Sequence, residues 1–158
     1  MNATKIQLPN GETVNLSGGG GYELVHSETL QEEAKTLAVG GDLDKYGMFY
    51  VYVMLPASSV QYSLFVSYSN TSTFNWTNTW NSSVPAEYPF YFRGECRQED
   101  ERAYISNGGA SRYSENANPN KTLVPGYLPK YFMMTANTDG VMLPIGSHVE
   151  IYGIRRVI

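Results

Sequence analysis

Tyr46-Gly47-Met48-Phe49-Tyr50-Val51-Tyr52-Val53-Met54-Leu55 runs into Pro56-Ala57-Ser58-Ser59 and then into Val60-Gln61-Tyr62-Ser63-Leu64-Phe65-Val66-Ser67-Tyr68-Ser69. The first ten residues carry few polar atoms beyond tyrosine hydroxyls, and are too short to span a bilayer as a helix. β-Branched and aromatic side chains favour a strand. Phe49, Val51, Val53 and Leu55 fall on one face of it, and Met48, Tyr50, Tyr52 and Met54 on the other. A strand apolar on both faces is expected in the middle of its sheet and between two layers. In the second half, Tyr62, Leu64, Val66 and Tyr68 alternate with Ser63, Phe65, Ser67 and Ser69, the pattern of a strand half in water. The residues between, beginning at Pro56, suit a hairpin loop. The pair reads as the spine of a β-sandwich.

The rest of the composition agrees with a β-rich domain. The chain has 158 residues, enough for one domain with its own core and a short appendage. Hydrophobic residues make up 42% and charged residues only 16%, so Ser, Thr, Asn, Gly and the 13 tyrosines must supply much of the surface. Tyrosine gives contact area at low entropic cost, which suits binding surfaces. A net charge of −4 with no basic stripe argues against nucleic acid. Met1-Asn2-Ala3-Thr4-Lys5 begins no apolar segment, so synthesis in the cytoplasm without a signal peptide is expected. No window is long and apolar enough for membrane insertion.

Outward from the spine, strand signals follow one another at short intervals. Residues 5–16 read as a small hairpin. Ile6 and Leu8 alternate with polar neighbours, Pro9-Asn10-Gly11 marks a turn, and Val14 and Leu16 alternate on the return. An isolated hairpin is marginal in water, and glycines 18–21 form a flexible joint behind it. Residues 1–17 are therefore expected to be an arm that orders on something else, with Ile6, Leu8, Val14 and Leu16 as its anchoring side chains. An edge hairpin folded back on its own domain is the other reading. The domain proper is expected over residues 22–158. Residues 22–26 are expected to form a strand, 27–34 a polar bend, 35–39 a strand and Gly40-Gly41-Asp42 a turn. Asp42 and Asp44 lack the later Gly and Glu of a calcium loop. Tyr88-Pro89-Phe90-Tyr91-Phe92 is a strand that Pro89 either starts or places at an edge. Cys96, the lone cysteine, reads as a small buried hydrophobe. The charged residues 97–102 read as a hairpin tip, 103–106 as the return strand and 108–120 as a long polar loop. Strands follow at 122–125, 127–135 and 148–154, with turns at Asn137-Thr138-Asp139-Gly140 and Ile145-Gly146-Ser147. Short strands at regular spacing without a helical stripe give an all-β fold, a jelly-roll-like β-sandwich behind a short N-terminal hairpin arm.

Residues 70–83 hold both tryptophans among Asn and Thr. Exposed rings beside amides stack on sugars and meet their hydroxyls, which makes Trp76 and Trp80, with Asn75, Asn78 and Asn81 and with Tyr113 from the polar loop, a candidate glycan site. The competing reading buries the rings in the sandwich or an interface. The Asn-x-Ser/Thr sequons at Asn70, Asn75 and Asn81 are what so much Asn, Ser and Thr yields by chance. No nucleophile elbow, phosphate loop, metal cluster or cofactor motif is present, and His26 and His148 sit in strands, so a non-enzymatic protein is expected.

Tyr22-Glu23-Leu24-Val25-His26-Ser27-Glu28-Thr29-Leu30 and Leu143-Pro144-Ile145-Gly146-Ser147-His148-Val149-Glu150-Ile151-Tyr152-Gly153-Ile154-Arg155 resemble the opening and closing strands of a module in tailed-bacteriophage minor structural and fibre proteins. That module opens on an aromatic-Glu-Leu-Ile strand with a Thr-Leu-Glu-Glu bend. It closes on Pro-x-Gly-(Ser/Thr)-x-(Val/Ile)-x-(Ile/Val)-Tyr-Gly-(Val/Ile)-Arg. The Phe49-Tyr50-Val51-Tyr52-Val53 strand also fits, so the resemblance covers about residues 22–155. It implies an outward-facing sandwich on the virion surface, bound to capsid or tail proteins. In phage fibres such a domain ends a larger chain. Here it follows a short arm, which favours a small accessory protein: a head decoration, head fibre or tail-tip component. A homotrimer and adhesion to a host-surface glycan are further expectations. The alternative is a carbohydrate-binding module or glycan-active enzyme domain.

Overall fold

The computed structural model describes residues 5–7, 9–11, 13–15, 21–74, 79–99, 102–110, 115–123 and 128–155. The strands in order are β1 (Lys5–Gln7), β2 (Thr13–Asn15), β3 (Glu23–Thr29), β4 (Thr36–Gly40), β5 (Tyr46–Leu55), β6 (Tyr62–Ser69), β7 (Thr79–Val84), β8 (Phe90–Glu99), β9 (Arg102–Ala110), β10 (Glu115–Leu123), β11 (Tyr131–Ala136) and β12 (His148–Arg155). A 3-10 turn at Leu43–Lys45 leads into β5. β1 and β2 pair only with each other, Ile6 opposite Val14. The rest form a six-stranded sheet, β10-β9-β8-β5-β12-β3, and a four-stranded sheet, β4-β11-β6-β7. The protein is an all-β sandwich.

Leaving out the β9–β10 hairpin and counting the eight strands from β3 onward, the sheets run 1-8-3-6 and 2-7-4-5. That is the double Greek key of a jelly roll. The β9–β10 hairpin is inserted after the sixth of these strands and widens the larger sheet.

The central strand is where its apolar run places it, with β12 on one side of β5 and β8 on the other. Two expectations about it need correction. β5 and β6 are not a hairpin: β6 pairs with β11 and β7 in the opposite sheet, and residues 56–61 carry the chain across. Both edges of β5 are already occupied, so the return strand has no place beside it. Nor does β5 lie between two layers. Phe49, Val51, Val53 and Leu55 are buried, while Met48, Tyr50, Tyr52 and Met54 form an outward face that is half-buried to exposed.

Between the sheets lies a single apolar core. Phe49 and Phe92 of the large sheet interleave with Tyr68, Phe132 and Trp80 of the small one. Ring centroids are 6.1 Å apart for Phe49–Tyr68, 5.5 Å for Tyr68–Phe132, 5.8 Å for Phe92–Phe132 and 5.0 Å for Trp80–Phe92. Such offset and edge contacts add to what area burial provides. Val149 and Ile151 of β12 point inward as their alternation predicts, and Cys96 is fully buried. One pole is tied by polar bonds. Gln98 Nε2 donates to the carbonyls of Leu43 (2.7 Å) and Tyr46 (3.0 Å). Gly40, at φ +118°, lies so close to the Lys130 carbonyl that an added Cβ would sit 2.7 Å from it.

Elsewhere the ladders are longer than the sequence signals. Pro89 directly precedes β8, whose pairing begins at Phe90. In the charged segment β8 and β9 stay paired as far as Glu99 opposite Arg102. The expected polar loop over 108–120 is instead mostly strand: β9 continues to Ala110 and β10 returns from Glu115. Backbone pairing of β9 with β8 and of β10 with β9 supplies the order that the Ser, Asn and Gly residues of this segment do not encode. Pro119 falls where the β9–β10 register shifts, between Asn118 and Lys121, on the sheet's edge. An edge bulge tolerates a missing N–H there.

Candidate functional site

The outward face of the large sheet gathers aromatic and charged side chains in rows. Antiparallel register puts directly opposed residues on the same face. One row runs Leu24, Tyr152, Tyr50, Glu95 across β3, β12, β5 and β8. The next runs Ser27, Glu150, Tyr52, Arg93, and the one beyond it Thr29, His148, Met54, Tyr91. On the other side of the tyrosine rows stand Ile154, Met48 and Arg97. Alternation alone produces this array, because every second residue of β5 and β12 that does not fill the core must face out.

The rings support one another. Tyr22, just before β3, lies against Tyr50 with centroids 4.4 Å apart; Tyr50 and Tyr52 are 6.4 Å apart; Tyr52 meets Tyr152 edge to face at 5.8 Å. The surface is nonetheless open: Tyr52 is 42% exposed, Tyr22 39% and Tyr91 55%. These are rings held in place without being covered.

A polar string runs beside them along β12. Tyr152 Oη donates to Glu150 Oε2 at 2.9 Å, and His148 Nε2 stands 3.1 Å from Glu150 Oε1. A carboxylate can only accept, so that His148 nitrogen carries the proton. In the neutral ring Nδ1 then accepts from the Thr29 hydroxyl, 2.6 Å away. The hydrogen bonds from His148 and Tyr152 hold the Glu150 carboxyl below its ordinary range. The bond to Glu150 raises the Tyr152 phenol in turn. Burial, then the hydrogen bond with Tyr50, raises the Tyr22 phenol. Glu150 is therefore an ionised acceptor at neutral pH, beside the Tyr22 and Tyr152 phenols that keep their protons.

The residues singled out in sequence are elsewhere. Trp80 is 3% exposed and packs on Phe92 in the core, so it is corrected from a surface ligand contact to a structural residue. Alternation along β7 turns Trp80, Ser82 and Val84 inward and leaves Asn81 exposed on the small sheet. Asn75, Trp76, Asn78 and Tyr113 lie outside the described residues, as do Leu8 and Leu16 of the arm. Ile6 and Val14 are register partners in the arm hairpin. His26 Nε2 meets Asp42 Oδ1 at 2.6 Å, tying β3 to the turn after β4. Among the described residues, no three His, Cys, Asp or Glu side chains cluster as metal ligands, and no helix is long and apolar enough to cross a membrane.

The tyrosine face was missed as a site although its signal was present: Tyr50 and Tyr52 alternate with core residues of β5, and Tyr152 follows inward Ile151. Comparison with family models and with curated proteins finds no match for this chain.

Proposed function

We propose that the chain is a non-enzymatic virion protein of a tailed bacteriophage. In this reading it is an exposed accessory sandwich on the head or tail, joined to the particle by its N-terminal arm and touching the host surface with its outer sheet face. The observation that carries the reading is the division of hydrogen bonding. The arm hairpin makes a two-stranded sheet of its own, while both sheets of the sandwich are built without it. Among the described residues neither sheet of the sandwich takes a backbone partner from the arm, which supports an arm free to order on another protein. The jelly roll, a fold found in viral capsid proteins and lectins, is in keeping with this, and the sequence resemblance supplies the phage context.

The face supports binding rather than turnover. A glycosidase acid needs a carboxyl raised by an apolar or like-charged setting. Glu150 is held low by hydrogen-bond donors, which suits a fixed acceptor. The proposed assembly is a homotrimer, since closed symmetry multiplies weak contacts.

Deletion of residues 1–17 tests the reading. The truncated chain should fold, remain soluble and fail to join virions. Normal incorporation without the arm would overturn the assignment, and turnover of a bacterial polysaccharide by the full chain would overturn the non-enzymatic reading.

A further inference from the structure

We infer that the tyrosine face of the large sheet is a binding platform for a neutral hexopyranose chain, centred on Tyr52. The inference deepens the proposed function and rests on the domain being displayed outward. Three observations converge on it. The rings of Tyr22, Tyr50, Tyr52 and Tyr152 are fixed by mutual contacts of 4.4 to 6.4 Å. A ligand therefore need not order them, which lowers the entropic cost of binding. The central ring is open, with Tyr52 42% exposed. Its row neighbours are Glu150 on one side and Arg93 on the other, and Tyr50 has Glu95 beside it. A sugar ring offers an apolar face of C–H groups bordered by hydroxyls. Here an aromatic ring is bordered by a strong acceptor and a strong donor.

Charge decides the class of ligand. Arg93 and Arg97 stand against Glu95 and Glu150 on the same face, so neither sign prevails. A polyanion such as a phosphate-rich polymer finds no basic stripe to attract it. A second copy of the chain fits poorly too. Burying this face against another copy, in a two-fold or a three-fold contact, would desolvate its carboxylates and guanidiniums, whereas the centres of protein interfaces are depleted of charge. A neutral polyhydroxylated chain uses every group present: rings for its faces, carboxylates and guanidiniums for its hydroxyls.

The test applies the full-length protein to an array of bacterial surface polysaccharides together with cellohexaose, maltohexaose and a polyanionic teichoic acid. Tyr52→Ala, Tyr152→Phe and Asn81→Ala variants are run beside it, with melting temperatures and virion incorporation measured for each. The expected result is binding to at least one neutral hexose glycan. Tyr52→Ala should weaken it about tenfold, ~1.4 kcal/mol, in a domain whose melting temperature falls but which stays folded at the assay temperature. Tyr152→Phe, which releases Glu150 from one donor while keeping the ring, should weaken it less, and Asn81→Ala should leave it intact. No glycan signal at all, binding that survives Tyr52→Ala, binding only to the polyanion, or self-association abolished by Tyr52→Ala would each overturn the inference. A chain that joins virions but binds no glycan refutes the platform alone. A chain that binds through Tyr52 but never joins virions refutes the virion reading alone.

Discussion

Trp80 and Tyr52 are both large rings in the middle of strands, and their opposite orientations give them opposite roles. Trp80 fills the core against Phe92. Truncation to Ala should remove about 3–5 kcal/mol, enough to unfold a marginal domain, and calorimetry or denaturant melts will read it. Tyr62 offers a finer test. Its hydroxyl is buried, finds no hydrogen-bond partner among the described residues, and is pushed up to about 12 by burial. Tyr68, fully enclosed, is likewise raised by burial. In the unfolded chain tyrosine ionises near 10. Below that pH both states keep the proton and the stability is fully present. As pH climbs from about 10 toward 12 the unfolded chain sheds protons that the native state retains, so stability falls with pH. Melting temperature should drop across that window. Tyr62→Phe should flatten the drop while holding or raising stability at pH 7, because it deletes an unpartnered hydroxyl. A lower melting temperature at pH 7 in that variant would contradict this account. Burial also raises the Cys96 thiol, so native protein should resist a thiol reagent at pH 8 that labels the urea-unfolded chain at once.

Among the elements, stability should be graded from centre to edge. β5 is bonded on both sides and buries one full face, and β12 lies between β5 and β3. Their amides should be the slowest to exchange with deuterium, and those of β1 and β2, a lone pair of three-residue strands, the fastest. Equal protection in the arm and in β5 would mean that the arm is docked. The same gradient explains what was legible in the sequence. Val149 and Ile151 announce the inward face of β12 because their burial is coupled to a strict alternation. Ser106-Asn107-Gly108-Gly109 and Glu115-Asn116-Ala117-Asn118 have no such pattern, and their strand state comes from backbone pairing with the strand just before each in the chain, Ser106 with Glu95 and Glu115 with Ala110, which no side-chain alternation announces. The Pro56 connection looked like a hairpin because loop length and turn chemistry are the same for a crossover. What decides between them is the occupancy of β5 by β8 and β12, tens of residues downstream. Trp80 hid among Asn and Thr, whose small side chains blur the alternation of β7. The tyrosines of β5 fit an apolar alternation, and that alternation does not separate a covered ring from a supported, open one.

For the whole molecule, the trimer proposal predicts a mass by light scattering near three times the 17.6 kDa chain at tens of micromolar. A monomer both free and on the particle would count against it. The last consequence comes from the pairing of β3 with β12. Glu23 lies opposite Gly153, and Arg155 Nε reaches Glu23 Oε1 at 3.4 Å. The first and last strands of the sandwich are neighbours, and the chain enters and leaves at one corner. Such a domain behaves as a cassette. It can be spliced into a surface loop of another protein without prying the host open, and its own order can be rewired. Joining residue 155 to residue 22 through a short glycine linker and reopening the chain between Ala57 and Ser58 should give a circular permutant with the native sheets, since that crossover links the two layers and belongs to no ladder.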